Sequence, residues 1–285
     1  MDFAKEKVAV VTGGNKGIGF AIVKGLCQKF KGKVYLTSRN EERGIEAVEK
    51  LRKLGFNPVF HQLDLNKPES VNMFKQYIEV TVGGIDILIN NAGISFKNGA
   101  PEPLGFQAEA TIATNYFGTL RVCEALFPFL RKYARVINVS SASGHLSKIP
   151  SSEFRAKLSH PNLTIGGLSK MMHQFVRDVK DNKHIEKGWG NSIYNVSKVG
   201  ISALTILQQK EFNKEPEKRN ISVNSVHPGF VATDMTSYKG PLNIDEGAQA
   251  PLYLALEPHR LKGEYVWYDK RVIDWYAPHS PVESY

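Results

Sequence analysis

Cysteine is scarce in this chain: of 285 residues only Cys27 and Cys123 are cysteines. Both lie inside helical patterns, and neither stands at metal-ligand spacing from a histidine. No metal site is expected, and both thiols read as small core residues. Long apolar runs are missing too, with none reaching the roughly 18 residues that suggest a membrane span. The first strand pattern is reached by Val8, which leaves no room for a signal peptide's apolar region. A cytoplasmic protein with no membrane attachment is expected, and the sequons at Asn138, Asn162 and Asn195 are then chance matches. Basic blocks are equally absent. Lys and Arg number 37 against 28 Asp and Glu, a formal net charge of +9, yet the cations are spread along the chain. Solvated faces and an affinity for anionic small molecules account for that balance better than nucleic acid does. There is no linker composition and no internal repeat, so one domain is expected, and 42% hydrophobic residues suffice for its core.

Glycine, by contrast, is concentrated near the start. Val8-Ala9-Val10-Val11 runs into Thr12-Gly13-Gly14-Asn15-Lys16-Gly17-Ile18-Gly19, after which Ile22, Val23 and Leu26 continue from Ile18 at helical spacing. This reads as buried strand, tight loop and helix. The unpaired N–H groups of a helix's first turn, with the positive end of its dipole, suit a pyrophosphate. No Gly-Lys-Ser/Thr follows, so the loop is not a P-loop. A glycine turn with no ligand is the alternative reading of this stretch alone.

The second strand, Lys33-Val34-Tyr35-Leu36-Thr37-Ser38, ends at Arg39. An NAD-binding chain would carry an acid there for the ribose 2′-hydroxyl. A guanidinium can instead clamp a 2′-phosphate, with Lys16 as a second cation and Arg43 as a weaker third. NADP is therefore preferred to NAD. The third strand closes on Asp64, which either accepts from an adenine amino group or serves as a turn residue. The fourth, Ile85-Asp86-Ile87-Leu88-Ile89, runs into Asn90-Asn91-Ala92-Gly93, and a helix from about 107 to 132 contains Asn115. A fifth strand ends in Ser140-Ser141-Ala142-Ser143-Gly144. Strand and helix thus alternate as in a doubly wound, Rossmann-like parallel α/β sheet with helices on both faces.

Residues 145–190 break this rhythm. Within them Ile165, Leu168, Met172, Phe175 and Val179 mark an amphipathic helix, so the stretch reads as a helical insertion docked on the body. The following helix carries Tyr194-Asn195-Val196-Ser197-Lys198, with Tyr194 and Lys198 on one face. A cation beside a phenol lowers its pKa and helps it exchange a proton with a carbonyl oxygen. An ordinary surface pair is the plain alternative. A sixth strand leads to His227-Pro228-Gly229, with His227 read as structural. A helix near 245–256 and a strand at Tyr265-Val266-Trp267-Tyr268 close the fold, and residues from about 276 read as a loose tail.

Thr12-Gly13-x-x-x-Gly17-x-Gly19, Asp64, Asn90-Asn91-Ala92-Gly93, Asn115, Ser141, Tyr194-x-x-x-Lys198 and Pro228-Gly229 follow one another in the order of the short-chain dehydrogenase/reductase family, which the chain resembles over nearly its whole length. Gly13-Gly14-Asn15-Lys16-Gly17-Ile18-Gly19, Phe60-His61-Gln62-Leu63-Asp64, Ala92-Gly93-Ile94-Ser95-Phe96-Lys97 and the insertion before Tyr194 are similar to the monomeric NADPH-dependent carbonyl reductases within it. The resemblance implies a catalytic set of Asn115, Ser141, Tyr194 and Lys198. Tyr194 would protonate the carbonyl oxygen, Lys198 would lower the Tyr194 pKa and hold the nicotinamide ribose, Ser141 rather than Ser140 would bind the substrate oxygen, and Asn115 would hold a relay water. The implied NADPH site comprises Gly13, Asn15, Lys16, Gly17, Ile18, Gly19, Arg39, Asp64, Leu65, Asn91, Gly93, Tyr194, Lys198, Pro228, Gly229, Val231 and Thr233. Asp64 would take the adenine and Asn91 its ribose side, with Val231 and Thr233 at the nicotinamide.

A small-molecule carbonyl substrate is the implied partner, and a monomer the implied state, because the insertion helix would cover the faces that pair in related oligomers. Phe96, Trp189, Phe230 and Tyr238 would form a roomy aromatic pocket for quinones, aromatic ketones and aldehydes. Phe96, Lys97 and Gln107 match residues with which some carbonyl reductases bind glutathione conjugates, whereas Asn98 and His227 depart from that subgroup. A hydroxysteroid-type or polyol dehydrogenase and a non-catalytic NADPH-binding regulator remain as alternatives.

Overall fold

The computed structural model describes residues 6–283. Its eight strands form one sheet in the order β3-β2-β1-β4-β5-β6-β7-β8. Side by side in its interior lie β1 (Val8–Val11), buried at every position, and β4 (Ile85–Asn90). From β1 the chain winds outward through α1 (Gly17–Lys29), β2 (Lys33–Ser38), α2 (Glu41–Lys53) and β3 (Val59–Gln62). It then returns through α3 (Pro68–Tyr77) to β4, on the other side of β1. All pairings are parallel as far as β7. The winding direction therefore reverses between β1 and β4, and a crevice opens at their carboxyl ends, where such sheets bind ligands.

Helices cover both faces. On one, Ile22 and Leu26 of α1, Val48 and Leu51 of α2, and Leu252 and Leu254 of α10 (Gln249–Leu256) pack on the sheet. On the other, Phe74 of α3 and Val122 and Leu126 of α5 (Thr119–Leu126) do the same. That face also carries α4 (Leu104–Ile112) and α8 (Ile193–Lys214). The single helix expected from about 107 to 132 is in fact three pieces: α4, a π-helical stretch at Ala113–Gly118, and α5. Asn115 sits in the π-helical stretch, where the extra residue per turn redirects side chains from the 3.6-residue repeat. β5 (Leu130–Val139) accordingly begins earlier than its apolar core suggests. After β6 (Ser222–Val226) and a short α9 (Ile244–Gly247), α10 leads to β7 (Tyr265–Val266), which turns back into an antiparallel β8 (Val272–Ile273) that the sequence pattern did not indicate. No helix among the described residues is long and apolar enough to cross a membrane.

The insertion folds into α6 (Ser152–Leu158) and α7 (Ile165–Lys180). Thr164 caps α7 by accepting from the Gly167 N–H at 3.1 Å. Leu168, Met172, Phe175 and Val179 are all fully buried, each contributing about 1.5–3 kcal/mol by its removal from water. Met172 packs on Gly200 of α8, where an added Cβ would come within 2.9 Å of its sulfur. Tyr116 meets Ser169 at 3.1 Å, and Phe117 stacks on His173 at 4.3 Å between centroids. Trp189 belongs to this core and not to an open pocket, which corrects the expectation. It is 1% exposed, stacks 3.9 Å from Phe154, and donates its indole N–H to the buried Asp178 at 2.9 Å.

Candidate active site

The glycine loop is stitched to the end of β4. Thr12 Oγ1 accepts from the N–H groups of Asn91 and Ala92 at 3.0 and 3.1 Å. Asn91 Nδ2 donates to the Thr12 and Gly13 carbonyls, both at 3.1 Å. The Asn91 amide thus shapes the loop: both Nδ2 hydrogens are spent on it, and for the ribose side, where Asn91 was placed, the side chain offers only its Oδ1. Gly17 takes a φ of +56°, which favours glycine. At Gly19 the reason for glycine is space: a Cβ would fall 2.2 Å from the Gly13 carbonyl oxygen. Lys16, at the N-cap of α1, makes no side-chain cap hydrogen bond. Asn15 and Ile18 complete the loop, whose first helical turn faces the crevice. These features fit a dinucleotide: a tight cradle that any side chain would fill, a helix N-terminus for its pyrophosphate, and cations for its 2′-phosphate.

At the outer end, Arg39 is exposed, and its guanidinium stays outside the ion pairs formed among the described residues. Lys16 instead pairs with Asp234 at 2.6 Å. Tyr238, expected in the substrate pocket, is largely exposed and hydrogen-bonds the same carboxylate. The loop after β6 thereby closes against the glycine loop, with Thr233 set over Gly17. Lys16, Asp234 and Tyr238 form a link that the sequence pattern did not reveal. Asp64 Oδ1 accepts from the Asn66 N–H at 3.0 Å, a turn role that leaves Oδ2 for a ligand. The Leu65 side chain is buried and its carbonyl accepts from Arg121, so any contact it makes with an adenine runs through its backbone. Val231 is also buried, and its carbonyl accepts from Thr236 at 2.6 Å. Val231 therefore supports the loop beside Gly229.

The chemical groups converge from β4, β5, the π-helical stretch and α8. Ser140 points inward, with Oγ 3.2 Å from the Lys198 carbonyl and 2.8 Å from Ser202 Oγ. Ser141 caps the next turn, accepting from the Ser143 N–H at 3.2 Å, and its hydroxyl lowers the Tyr194 pKa by hydrogen bonding. Burial outweighs that effect and pushes the Tyr194 phenol up to about 12. The expected depression by Lys198 is thus not what sets this phenol. Lys198 Nζ lies 5.6 Å from the Tyr194 ring centroid and donates to the Val139 carbonyl at 2.8 Å. Burial in turn lowers the ammonium to about 8, because the charged form is the one that loses hydration.

Asn115 is 1% exposed. Its Oδ1 accepts from the Ile94 N–H at 2.8 Å, and Nδ2 donates to the Ile94 carbonyl and to Ser197 Oγ at 2.9 and 3.0 Å. Both amide hydrogens are spent, so the side chain pins the strand-end loop to α8 and offers a water only a second Oδ1 lone pair. Gly93 lies beside them, its open face toward Asn115 Oδ1 and Lys198 Nζ. Phe96 packs edge-on against Phe106 at 6.2 Å, and Phe230 is 40% exposed. Gln107, on α4, donates its amide to the Glu102 carbonyl at 2.8 Å, and Lys97 is exposed on the loop that precedes α4.

A family model described as short chain dehydrogenase matches residues 7–156. Carbonyl reductase [NADPH] 1 of Rattus norvegicus is 43% identical over 271 residues, covering 94% of this chain and 98% of the relative. Carbonyl reductase [NADPH] 3 of the same species is 42% identical over 253 residues, covering 88% and 91%. Among solved structures, salutaridine reductase from Papaver somniferum superposes with a TM-score of 0.83 at 31% identity, over 92% of this chain and 99% of that one. A glycine cradle at the β1–β4 crevice, a Ser–Tyr–Lys group at the end of β5 and these similarities agree: the chain belongs to the short-chain dehydrogenase family.

Proposed function

We propose that this protein is an NADPH-dependent carbonyl reductase whose proton donor is Tyr194. The observation that carries this is the grouping of the half-buried Ser141 and Tyr194 with the buried Lys198, set beside a cradle ending in an exposed Arg39. Bound NADPH supplies the hydride. Tyr194, protonated well above neutral pH, gives its proton to the carbonyl oxygen, since a developing alkoxide is a far stronger base than a phenolate. Ser141 hydrogen-bonds that oxygen, and the Lys198 ammonium stabilises the negative charge left on Tyr194. Asn115 holds Ile94 and Ser197 in register around them. The partly open rings of Phe96, Phe106 and Phe230 favour apolar, planar carbonyls such as quinones, aromatic ketones and aldehydes. Packing of α7 over α4 and α8 supports a monomer, since it covers the long helix that bears Tyr194.

The pH dependence tests this arrangement. Lys198 is charged below about pH 8 and loses its proton as the pH rises past that value. Tyr194 stays protonated to about 12. With NADPH and a quinone both saturating, kcat for reduction is expected to hold steady up to about pH 8 and to fall above it. A kcat that is flat, or that rises, between pH 8 and pH 10 contradicts the role given to Lys198.

A further inference from the structure

The C-terminal segment is anchored at two places on the carboxyl edge of the sheet. The first anchor is the turn that carries Ser141. Trp275 donates its indole N–H to the Gly144 carbonyl at 2.7 Å, and the Asp274 carbonyl meets His145 Nε2 at 3.0 Å. The second is His227, at the start of the loop that walls the nicotinamide end. Its Nε2 lies 2.6 Å from Glu283 Oε1. Residues 276–282 cross from one anchor to the other, so the expected loose tail is tied down where it was expected to be free.

His227 is 2% exposed, and burial lowers its pKa, which keeps the imidazole neutral near pH 7. Its Nδ1 accepts from the Gly229 N–H at 3.3 Å, so the proton resides on Nε2 and is donated to Glu283. A hydrogen-bond chain thus runs from Glu283 through His227 to the Pro228–Gly229 turn, where Gly229 has a φ of +92°. Trp267 and Tyr268 pack edge-on against the imidazole at 4.4 and 5.8 Å and hold it in place. Burial pushes the Tyr265 phenol up, the Glu283 carboxylate and Tyr194 add smaller effects in the same direction, and the Tyr265 hydroxyl donates to the Ser141 carbonyl. Glu283 therefore shares its surroundings with the reacting groups.

We propose that residues 276–283 form a wall of the substrate site, and that Glu283 is the positioning residue that seats this wall through His227. The proposal rests on the reading of the protein as a carbonyl reductase and assigns part of its substrate selectivity to the tail. A larger carbonyl extending past Ser141 toward the His227 loop would meet this wall, whereas a small aldehyde need not touch it.

The test compares kcat and KM for menadione and for propanal in the full-length enzyme and in Glu283→Ala and Glu283→Gln, with NADPH affinity followed by fluorescence. Glu283→Ala is expected to change the menadione-to-propanal ratio of kcat/KM by about tenfold, mainly through KM, the scale of a lost pocket contact. NADPH affinity stays as in the wild type. Glu283→Gln, which keeps an oxygen to accept from His227, restores the ratio most of the way. An unchanged ratio in Glu283→Ala overturns the proposal. So does a parallel loss for both substrates accompanied by weaker NADPH binding or a lower Tm, which would make Glu283 merely structural. If the wild-type enzyme reduces neither compound, the carbonyl reductase reading itself fails and the proposal falls with it.

Discussion

Tyr194→Phe is expected to lower kcat for carbonyl reduction by at least about 10²-fold while leaving NADPH affinity unchanged. The substitution removes one oxygen and keeps the ring that lies under Lys198 Nζ. Neither Ser141 nor Lys198 replaces the lost proton efficiently. A serine hydroxyl is a weaker acid than the phenol, and the Lys198 ammonium is directed at the Val139 carbonyl. The glycine cradle and Arg39 lie outside the altered contact, so binding of the cofactor serves as the internal control. Stopped-flow single turnovers read the chemical step, and fluorescence titration reads NADPH. Turnover within a few-fold of wild type would remove Tyr194 from the mechanism.

Arg39→Glu is expected to weaken NADPH binding by about 10²-fold, from loss of hydrogen bonds to a charged partner, and to leave NADH binding unchanged or improved. Arg39 follows β2, just before Asn40 caps α2 by accepting from the Arg43 N–H at 2.8 Å. Its carbonyl is fixed by Gln62 Nε2 at 3.1 Å, so the backbone is set while the guanidinium projects into solvent. A carboxylate at that place repels a 2′-phosphate and accepts from a 2′-hydroxyl, which inverts the preference. Lys16→Ala is expected to cost less, because Lys16 must give up Asp234 before it can serve a phosphate. Isothermal titration with both cofactors measures the two effects. Equal losses for NADPH and NADH in Arg39→Glu would mean that Arg39 does not read the 2′ position.

The features that were legible in the sequence are those fixed by local geometry. Gly17 and Gly19 mark the cradle because one needs a positive φ and the other has no room for a Cβ. The spacing of Leu168, Met172, Phe175 and Val179 located α7 because a helix on a surface must bury one stripe. Asn115 stood out as a polar residue amid apolar ones, yet nothing in the repeat disclosed the π-helical stretch, whose longer turn falls between two ordinary helical runs. Long-range pairings were hidden altogether. Trp189 finds Asp178, Lys16 finds Asp234 and His227 finds Glu283, and no local pattern encodes such meetings. The Tyr194 pKa is hidden from the sequence for a related reason. Helical spacing brings Lys198 near, but burial, a property of the whole fold, governs both groups.

The most direct test of the central claim follows the loss of reduced-nicotinamide absorbance when the enzyme meets a quinone, an aromatic aldehyde or a steroid ketone, first with NADPH and then with NADH. Rapid consumption of NADPH with the quinone or the aldehyde, slower consumption of NADH, and one alcohol or hydroquinone formed per cofactor oxidised is the expected result. Tight NADPH binding with no consumption in the presence of any of the three carbonyls would contradict it.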